Sequence, residues 1–176
     1  MSVPQTPRPA KLVIGVFTKN KEIIEHLALE LSSRFGRMDL VSLWMDFNYT
    51  NYYKSEMGFP LARRMFAFAQ LIEQAELAAI KNATNRIEQT YACAGKRQVN
   101  IDPGYLLHER FVLASGKNFS HRIYIGLGVY ADLTLIYQKG RFQTLPWTYP
   151  DYADQAMICF LDRVRRKYVL DLKLQG

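Results

Sequence analysis

The sequence is poor in cysteine, in histidine and in uninterrupted apolar runs. Its 2 cysteines, Cys93 and Cys159, stand far apart and neither belongs to a C-x-x-C pair, which excludes a zinc ribbon and a disulfide framework. Both fall in helical patterns and read as small buried apolar groups. No two of the 3 histidines, His26, His108 and His121, have ligand spacing, so there is no zinc motif and no metal ligands are assigned. No stretch approaches the roughly 18 consecutive apolar residues of a membrane span. The opening Met1-Ser2-Val3-Pro4-Gln5-Thr6-Pro7 lacks the charged-then-apolar order of a signal peptide. A cytoplasmic protein without a membrane partner is expected.

The familiar nucleotide and hydrolase signatures are missing as well. Thr90 to Arg97 ends in Gly-Lys-Arg, but Thr90 stands where a phosphate loop needs its first glycine and Arg97 where it needs Ser or Thr. A helix precedes this segment in place of a strand. Gly126-Leu127-Gly128 has Ala131 where a dinucleotide fingerprint needs a third glycine, and reads instead as a hairpin turn. No serine-hydrolase elbow is present. No cofactor is implied by any motif.

What is present suffices for one globular domain. Of 176 residues, 49% are hydrophobic and 22% charged, and 10 Phe, 11 Tyr and 2 Trp supply enough apolar surface to offset the entropy of ordering. The net charge of +7 permits an anionic partner without requiring one. Most of the excess lies after Glu88, and its densest run, Arg163, Arg165, Arg166 and Lys167, falls in a C-terminal helix, where the dipole favours cations near the end.

Residues 1–10, with three prolines and no periodicity, read as a disordered lead-in, followed by one domain over 11–176. Lys11 to Phe17 reads as a buried strand. Ile23, Ile24, Leu27, Leu31 and Phe35 recur at helical spacing, with Asn20 as N-cap and Gly36 as the stop. Asp39 to Phe47 and Arg63 to Leu71 read as strands, separated by a polar aromatic loop from Asn48 to Pro60. Leu77, Ile80, Ile87 and Tyr91 form the stripe of a long helix ended by Gly95. Arg97 to Ile101 reads as a short strand closed by an Asp102-Pro103-Gly104 turn, and Tyr105 to Ser115 as a short helix. His121 to Leu127, Val129 to Gln138 and Arg141 to Leu145 form a three-strand meander. A helix with Met157, Leu161, Val164 and Tyr168 inward closes the chain, Asp151 or Asp154 standing near its start. The predicted class is α+β: a ferredoxin-like β-α-β-β-α-β order extended by the antiparallel meander and the C-terminal helix.

Three segments concentrate polar and aromatic groups. Asp46 to Gly58 carries carboxylates, amides and tyrosines, Glu56 among them. Asn100 and Asp102 share parity at the end of a strand, so both side chains leave the sheet on one side. Lys117 to Arg122 enters the meander and Trp147 to Tyr152 leaves it. Structural readings compete at each position. Asp102 also suits an Asx-type turn, and His121 shares parity with Ile123, Ile125 and Leu127, as a core histidine would. A turn centred on Leu127 puts Arg122 opposite Asp132 and Tyr124 opposite Tyr130, the first a cross-strand ion pair worth little if exposed. Trp147 also suits a cap on the apolar edge of the sheet.

The segments Asn100-Ile101-Asp102-Pro103-Gly104-Tyr105, Phe119 to Tyr124, Tyr130 to Tyr137 and Pro146 to Tyr152 closely resemble the bacterial domain of unknown function 4416. Tyr52-Tyr53-Lys54-Ser55-Glu56-Met57-Gly58 fits it too, and the likeness spans about residues 11–170. The resemblance implies one domain and brings no activity with it. It singles out polar groups at strand ends and turns, where packing alone would accept many substitutes.

The expected function is therefore a small-molecule site, enzymatic or sensory, for an anionic or phosphorylated ligand, nucleotides included. Asp102 and Glu56 are its candidate acid/base or metal-binding carboxylates and His121 its proton carrier. Lys117 and Arg122 are candidate anion clamps, Asn100 and Asp132 polar contacts, and Tyr105, Tyr124 and Trp147 the walls. The rival class is an RNA-binding module in which Tyr124 and Tyr130 stack bases and basic groups neutralise phosphates. A protein-interaction subunit, marked by an exposed patch of tyrosines, is a third.

Overall fold

The computed structural model describes residues 1–50 and 53–175. Ala10–Thr18 (β1) is buried along its whole length, because its even residues face one layer and its odd residues another. Leu12, Ile14 and Val16 pack on helices Ile23–Phe35 (α1) and Leu77–Thr90 (α3), with Ile24, Leu27, Leu31, Ile80 and Ile87 facing them. On the opposite face Val13 belongs to the cluster completed by Met157, Leu161, Val164 and Tyr168 of Gln155–Gln175 (α4). The predicted helix stripes thus face the sheet.

Strands Met38–Val41 (β2), Met45–Asp46 (β3), Ala62–Ile72 (β4), Val99–Leu106 (β5), Arg110–Ser115 (β6), Arg122–Gly126 (β7), Val129–Gln138 (β8) and Arg141–Thr144 (β9) complete one antiparallel sheet. A one-turn helix, Lys54–Met57 (α2), lies between β3 and β4. The order is β2-β4-β1-β5-β6-β8-β7, with β3 on β4 and β9 on β8. Its first four members are arranged as in a ferredoxin-like unit, each helical crossover skipping one antiparallel strand. The α+β expectation holds, and the meander extends the sheet by way of β6. Among the described residues no helix is long and apolar enough to cross a membrane.

Five local expectations are corrected. The strand expected over Asp39 to Phe47 is two short ones. Ser42 bonds to Met65 through its backbone N–H and its Oγ, Leu43 is exposed, and Trp44 packs at the edge of the α1–α3 cluster against Lys21 and Arg64. Asp102-Pro103-Gly104 is not a turn and Tyr105 to Ser115 is not a helix: β5 runs through the first, and the second holds the end of β5, a tight connection and β6. Phe111 to Ala114 is buried on both faces, a continuous apolar run whose periodicity does not separate strand from helix. Cys93 and Cys159 are exposed, Cys93 in the turn after α3 and Cys159 on the outer side of α4. The basic run on α4 lies inside the helix, which continues to Gln175. Arg165 packs 3.5 Å over the Tyr137 ring and donates to the His108 carbonyl, so the run is partly absorbed by packing.

A buried charge cluster ties α4 to the sheet. Lys11, fully enclosed in β1, donates to Asp39 at 2.5 Å and to Asp171 at 2.6 Å, and Lys167 pairs with both carboxylates. Burial alone would push the Asp171 carboxyl up, but hydrogen bonds from Lys11 and Lys167 outweigh it and hold it below its ordinary 3.8. A depressed folded value means that this stabilisation is complete above pH 3.8 and is lost as pH falls through the folded value. Thermal melts from pH 6 to 2 should therefore show wild type more stable than Asp171→Asn by a constant margin above about pH 4, narrowing below it. A margin that persists to pH 2 would remove the linkage.

Candidate functional site

The site arises where two strands part. β5 pairs with β6 only from Gly104 to Leu106, against Phe111 to Leu113. Beyond that point β5 stays with β1 and β6 stays with β8. Gly104 stands at the fork: a Cβ there would meet the Val112 carbonyl oxygen at 2.5 Å and the Leu113 and Phe111 side chains at 3.1 Å. Its role is close backbone approach within a strand, which only glycine permits.

On the open side of the fork the backbone of Ile101 points away from β1, and two side chains of α3 satisfy it. The Glu88 carboxylate accepts from the Ile101 N–H at 2.7 Å, and Lys81 Nζ donates to the Ile101 carbonyl at 2.9 Å. Strand parity then directs Pro103 the same way, so its missing N–H removes no ladder bond. Asn100 and Asp102 leave on one side, as predicted, with Asn100 Nδ2 donating to Asp102 at 2.7 Å and Lys81 lying 3.5 Å from the other Asp102 oxygen. Arg97 links this group outward. It is bidentate to Glu56, both contacts 2.8 Å, and reaches Glu88 at 3.3 Å and Asn100 at 3.1 Å. The Glu56 hydrogen bonds hold Arg97 above its ordinary range and pull Glu56 below its own. Glu88 moves the other way: burial raises its carboxyl, outweighing the pull of Lys81 and the Ile101 N–H.

Between the parted strands lies a cavity of about 690 Å³, with α3 along one wall and Phe47, Tyr49, Thr50, Tyr53 and the loop at 149–152 along another. The far wall is the meander. Arg122 donates to Asp132 at 2.8 Å, to the Lys117 carbonyl at 2.9 Å and to the Tyr149 hydroxyl at 2.6 Å. The predicted register is observed, Arg122 opposite Asp132 and Tyr124 opposite Tyr130. The ion pair is not exposed: its side chains retain 7% and 3% of their accessible surface. Burial alone would lower Arg122; Asp132 and Tyr149 outweigh it, and its guanidinium is raised.

The floor is aromatic around a buried cation. Arg63 of β4 pairs with Asp151, and its guanidinium lies 4.5 Å from the Phe47 ring, 5.0 Å from Tyr152 and 5.4 Å from Phe17. A smaller cavity of about 260 Å³ behind it shares Phe47, Tyr49, Arg63 and Asp151, so this pair is the partition between the two. Burial, the largest effect, pushes the Tyr152 phenol far above its ordinary 10, with Asp102 and Asp151 adding to it.

Of the residues singled out from sequence, Asn100, Asp102, Lys117, Arg122 and Asp132 line this one cavity. Glu56 is bound to Arg97 on its border. His121 lies behind Asp132, 3.3 Å from its carboxylate, and stacks on Trp147 with centroids 5.0 Å apart. Trp147 donates to the Leu133 carbonyl, and neither ring lines the cavity. Tyr105 is in the core, where burial raises its hydroxyl, and Tyr124 lies on the outer surface against Tyr130. Asp102 is in a strand, which removes the Asx-turn reading. Tyr52, in the aromatic loop, lies outside the described residues.

Sequence reasoning missed Lys81, Glu88, Arg97, Arg63 and Tyr152. Lys81, Thr84 and Glu88 recur at helical spacing beside the apolar stripe of α3, a detectable signal that a solvated face would give equally. Tyr152 lies in the singled-out segment from Trp147 to Tyr152 but with no role expected in the site, and Arg63 left no local signal.

Fold and cleft define a single-domain antiparallel α+β protein with a polar, aromatic cavity where its sheet forks. The chain matches the family described as domain of unknown function (DUF4416) over residues 8–168 and belongs to it. No curated protein and no solved structure matches it.

Three variants test this geometry. Gly104→Ala should cost about 2–3 kcal/mol in urea denaturation, because the fork cannot widen without breaking the last β5–β6 pairs. Asp132→Ala should cost about 3–5 kcal/mol by stranding Arg122, and the double variant Arg122→Met/Asp132→Leu should recover most of that loss. Equal losses in the single and double variants would assign the effect to packing rather than charge.

Proposed function

We propose that the forked cleft is a small-molecule site, enzymatic or sensory, for a ligand carrying an anionic or phosphoryl group. The observation that carries this reading is one cavity of about 690 Å³ holding both charged and aromatic side chains. Its volume falls within the roughly 300–1,000 Å³ typical of ligand pockets. Arg63, Lys81, Arg97, Lys117 and Arg122 stand in its wall against Glu88, Asp102, Asp132 and Asp151, a surplus of one positive charge. Lys117 is exposed at the rim, suited to an anion entering from solvent, and Arg122 stands behind it in the wall, held by Asp132 and Tyr149. Asp102 is the central acceptor, placed by Asn100 and Lys81. Glu88, its carboxyl raised by burial, stands beside it as a second carboxylate, accepting from the Ile101 N–H and from Arg97. His121, through Asp132, is a positioning residue on this reading. Tyr53, packed edge-on against the stacked Phe17 and Phe47 rings, supplies an aromatic wall for the ligand.

A second reading, RNA binding, is favoured by one feature: Tyr124 and Tyr130 present tilted rings 5.3 Å apart on the outer surface beside the basic loop at Lys117. It requires affinity that falls steeply with salt. Differential scanning fluorimetry against inorganic phosphate, pyrophosphate and mononucleotides, with a salt titration against mixed RNA, separates the two. The small-molecule reading expects an anion to raise the melting temperature of wild type. It also expects Asp102→Asn to lose at least tenfold in affinity, about 1.4 kcal/mol, with its own melting temperature within about 3 °C of wild type. Asp102→Asn binding as well as wild type would remove Asp102 from the site. RNA binding at low salt with no small-anion effect would favour the second reading.

A further inference from the structure

Two buried donors at the floor of the cavity have no acceptor. Tyr152 is 2% exposed, and its hydroxyl has no hydrogen-bond partner among the described residues; the same is true of Nε of Arg63, whose side chain is 4% exposed. Both residues line the cavity, and the Arg63 guanidinium carbon is 5.0 Å from the Tyr152 ring centroid. Packing does not call for the hydroxyl, since a phenylalanine would offer the same ring to Phe111 and Arg63. The backbone, moreover, makes room for it. Gly15 of β1 faces this point opposite Asp102, and a Cβ at Gly15 would stand 3.4 Å from the Tyr152 oxygen and 3.0 Å from Met65 Sδ.

An arginine Nε–H only donates, so whatever completes the floor must accept. The charges around it already balance: Arg63 is paired with Asp151, and Lys81 lies 3.5 Å from Asp102. A further negative charge would face two carboxylates in a poorly solvated place, whereas a neutral oxygen takes both hydrogen bonds without that repulsion. The geometry points to a carbonyl-type oxygen, as in an amide or lactam, as the inner end of the ligand, accepting from the Tyr152 hydroxyl and Arg63 Nε. This inference rests on the cleft being a small-molecule site and divides the ligand in two: a neutral carbonyl end on the floor and an anionic end toward Lys117 and Arg122.

The test is Tyr152→Phe in the full chain, read in two ways. Without ligand, removing an unsatisfied buried hydroxyl should raise the melting temperature by about 2–6 °C. A fall would mean that the hydroxyl serves the fold, and would overturn the assignment. With ligand-detected NMR, wild type should bind both 2-pyrrolidone, an uncharged lactam, and inorganic phosphate. Tyr152→Phe should lose at least tenfold in affinity for the lactam and keep its affinity for phosphate. Equal lactam binding by both proteins, loss of phosphate binding in the variant, or a wild type that takes phosphate alone would each overturn the carbonyl anchor and leave the site standing. A wild type that binds neither probe would overturn the site itself, whatever the melting temperatures show.

Discussion

An unpaired stretch of β5 organises the functional half of this protein. A buried strand cannot leave its N–H and C=O groups without partners. Once β6 turns away beyond Gly104, the groups of Ile101 must bond elsewhere, and the fold supplies a carboxylate and an ammonium from α3 in place of a neighbouring strand. That substitution brings Glu88 and Lys81 to the sheet, places them beside Asn100 and Asp102, and opens the gap that becomes the cavity. Chemistry-bearing side chains collect here for a structural reason, and a ligand site is what a fork of this kind leaves available.

The charges of the cleft come in balanced pairs. Arg63 with Asp151, Arg122 with Asp132, and Arg97 with Glu56 and Glu88 each place a cation of one element against a carboxylate of another. The two fully buried pairs, Arg63–Asp151 and Arg122–Asp132, add little net stability, because desolvation offsets most of the attraction, but each is costly to break singly. With the Arg97 contacts they lock the loop before α4, the meander and the turn after α3 into one arrangement. The floor, where Tyr152 and Arg63 keep unmet donors, is the place where this balancing stops.

Local rules reached part of the site. The hairpin at Gly126 and Gly128 specified its own register, so the contact between Arg122 and Asp132 was legible at two-residue periodicity, as was the shared side of Asn100 and Asp102. Glycine and proline were harder to read. Asp102-Pro103-Gly104 has turn chemistry, yet it lies inside a strand. The proline faces an unpaired edge and the glycine faces a carbonyl oxygen, and neither circumstance exists until β6 is in place. Tyr124 and Trp147 have the right chemistry for a pocket wall, but Tyr124 lies two residues further along β7 than Arg122, past the end of the cavity, and the path of the loop sets Trp147 against His121.

The α+β class, the helix faces, the meander and the amphipathic C-terminal helix follow from the sequence by itself, because period, capping and turn residues act over a few neighbours. The exposure of both cysteines, the strand at Phe111 to Ala114 and the fork at Gly104 were decided by tertiary structure. So was the gathering of Lys81, Glu88, Arg97, Arg63 and Tyr152 around Asp102. These residues are brought together from separate elements, and the satisfaction of a buried polar group depends on partners that only the folded chain supplies.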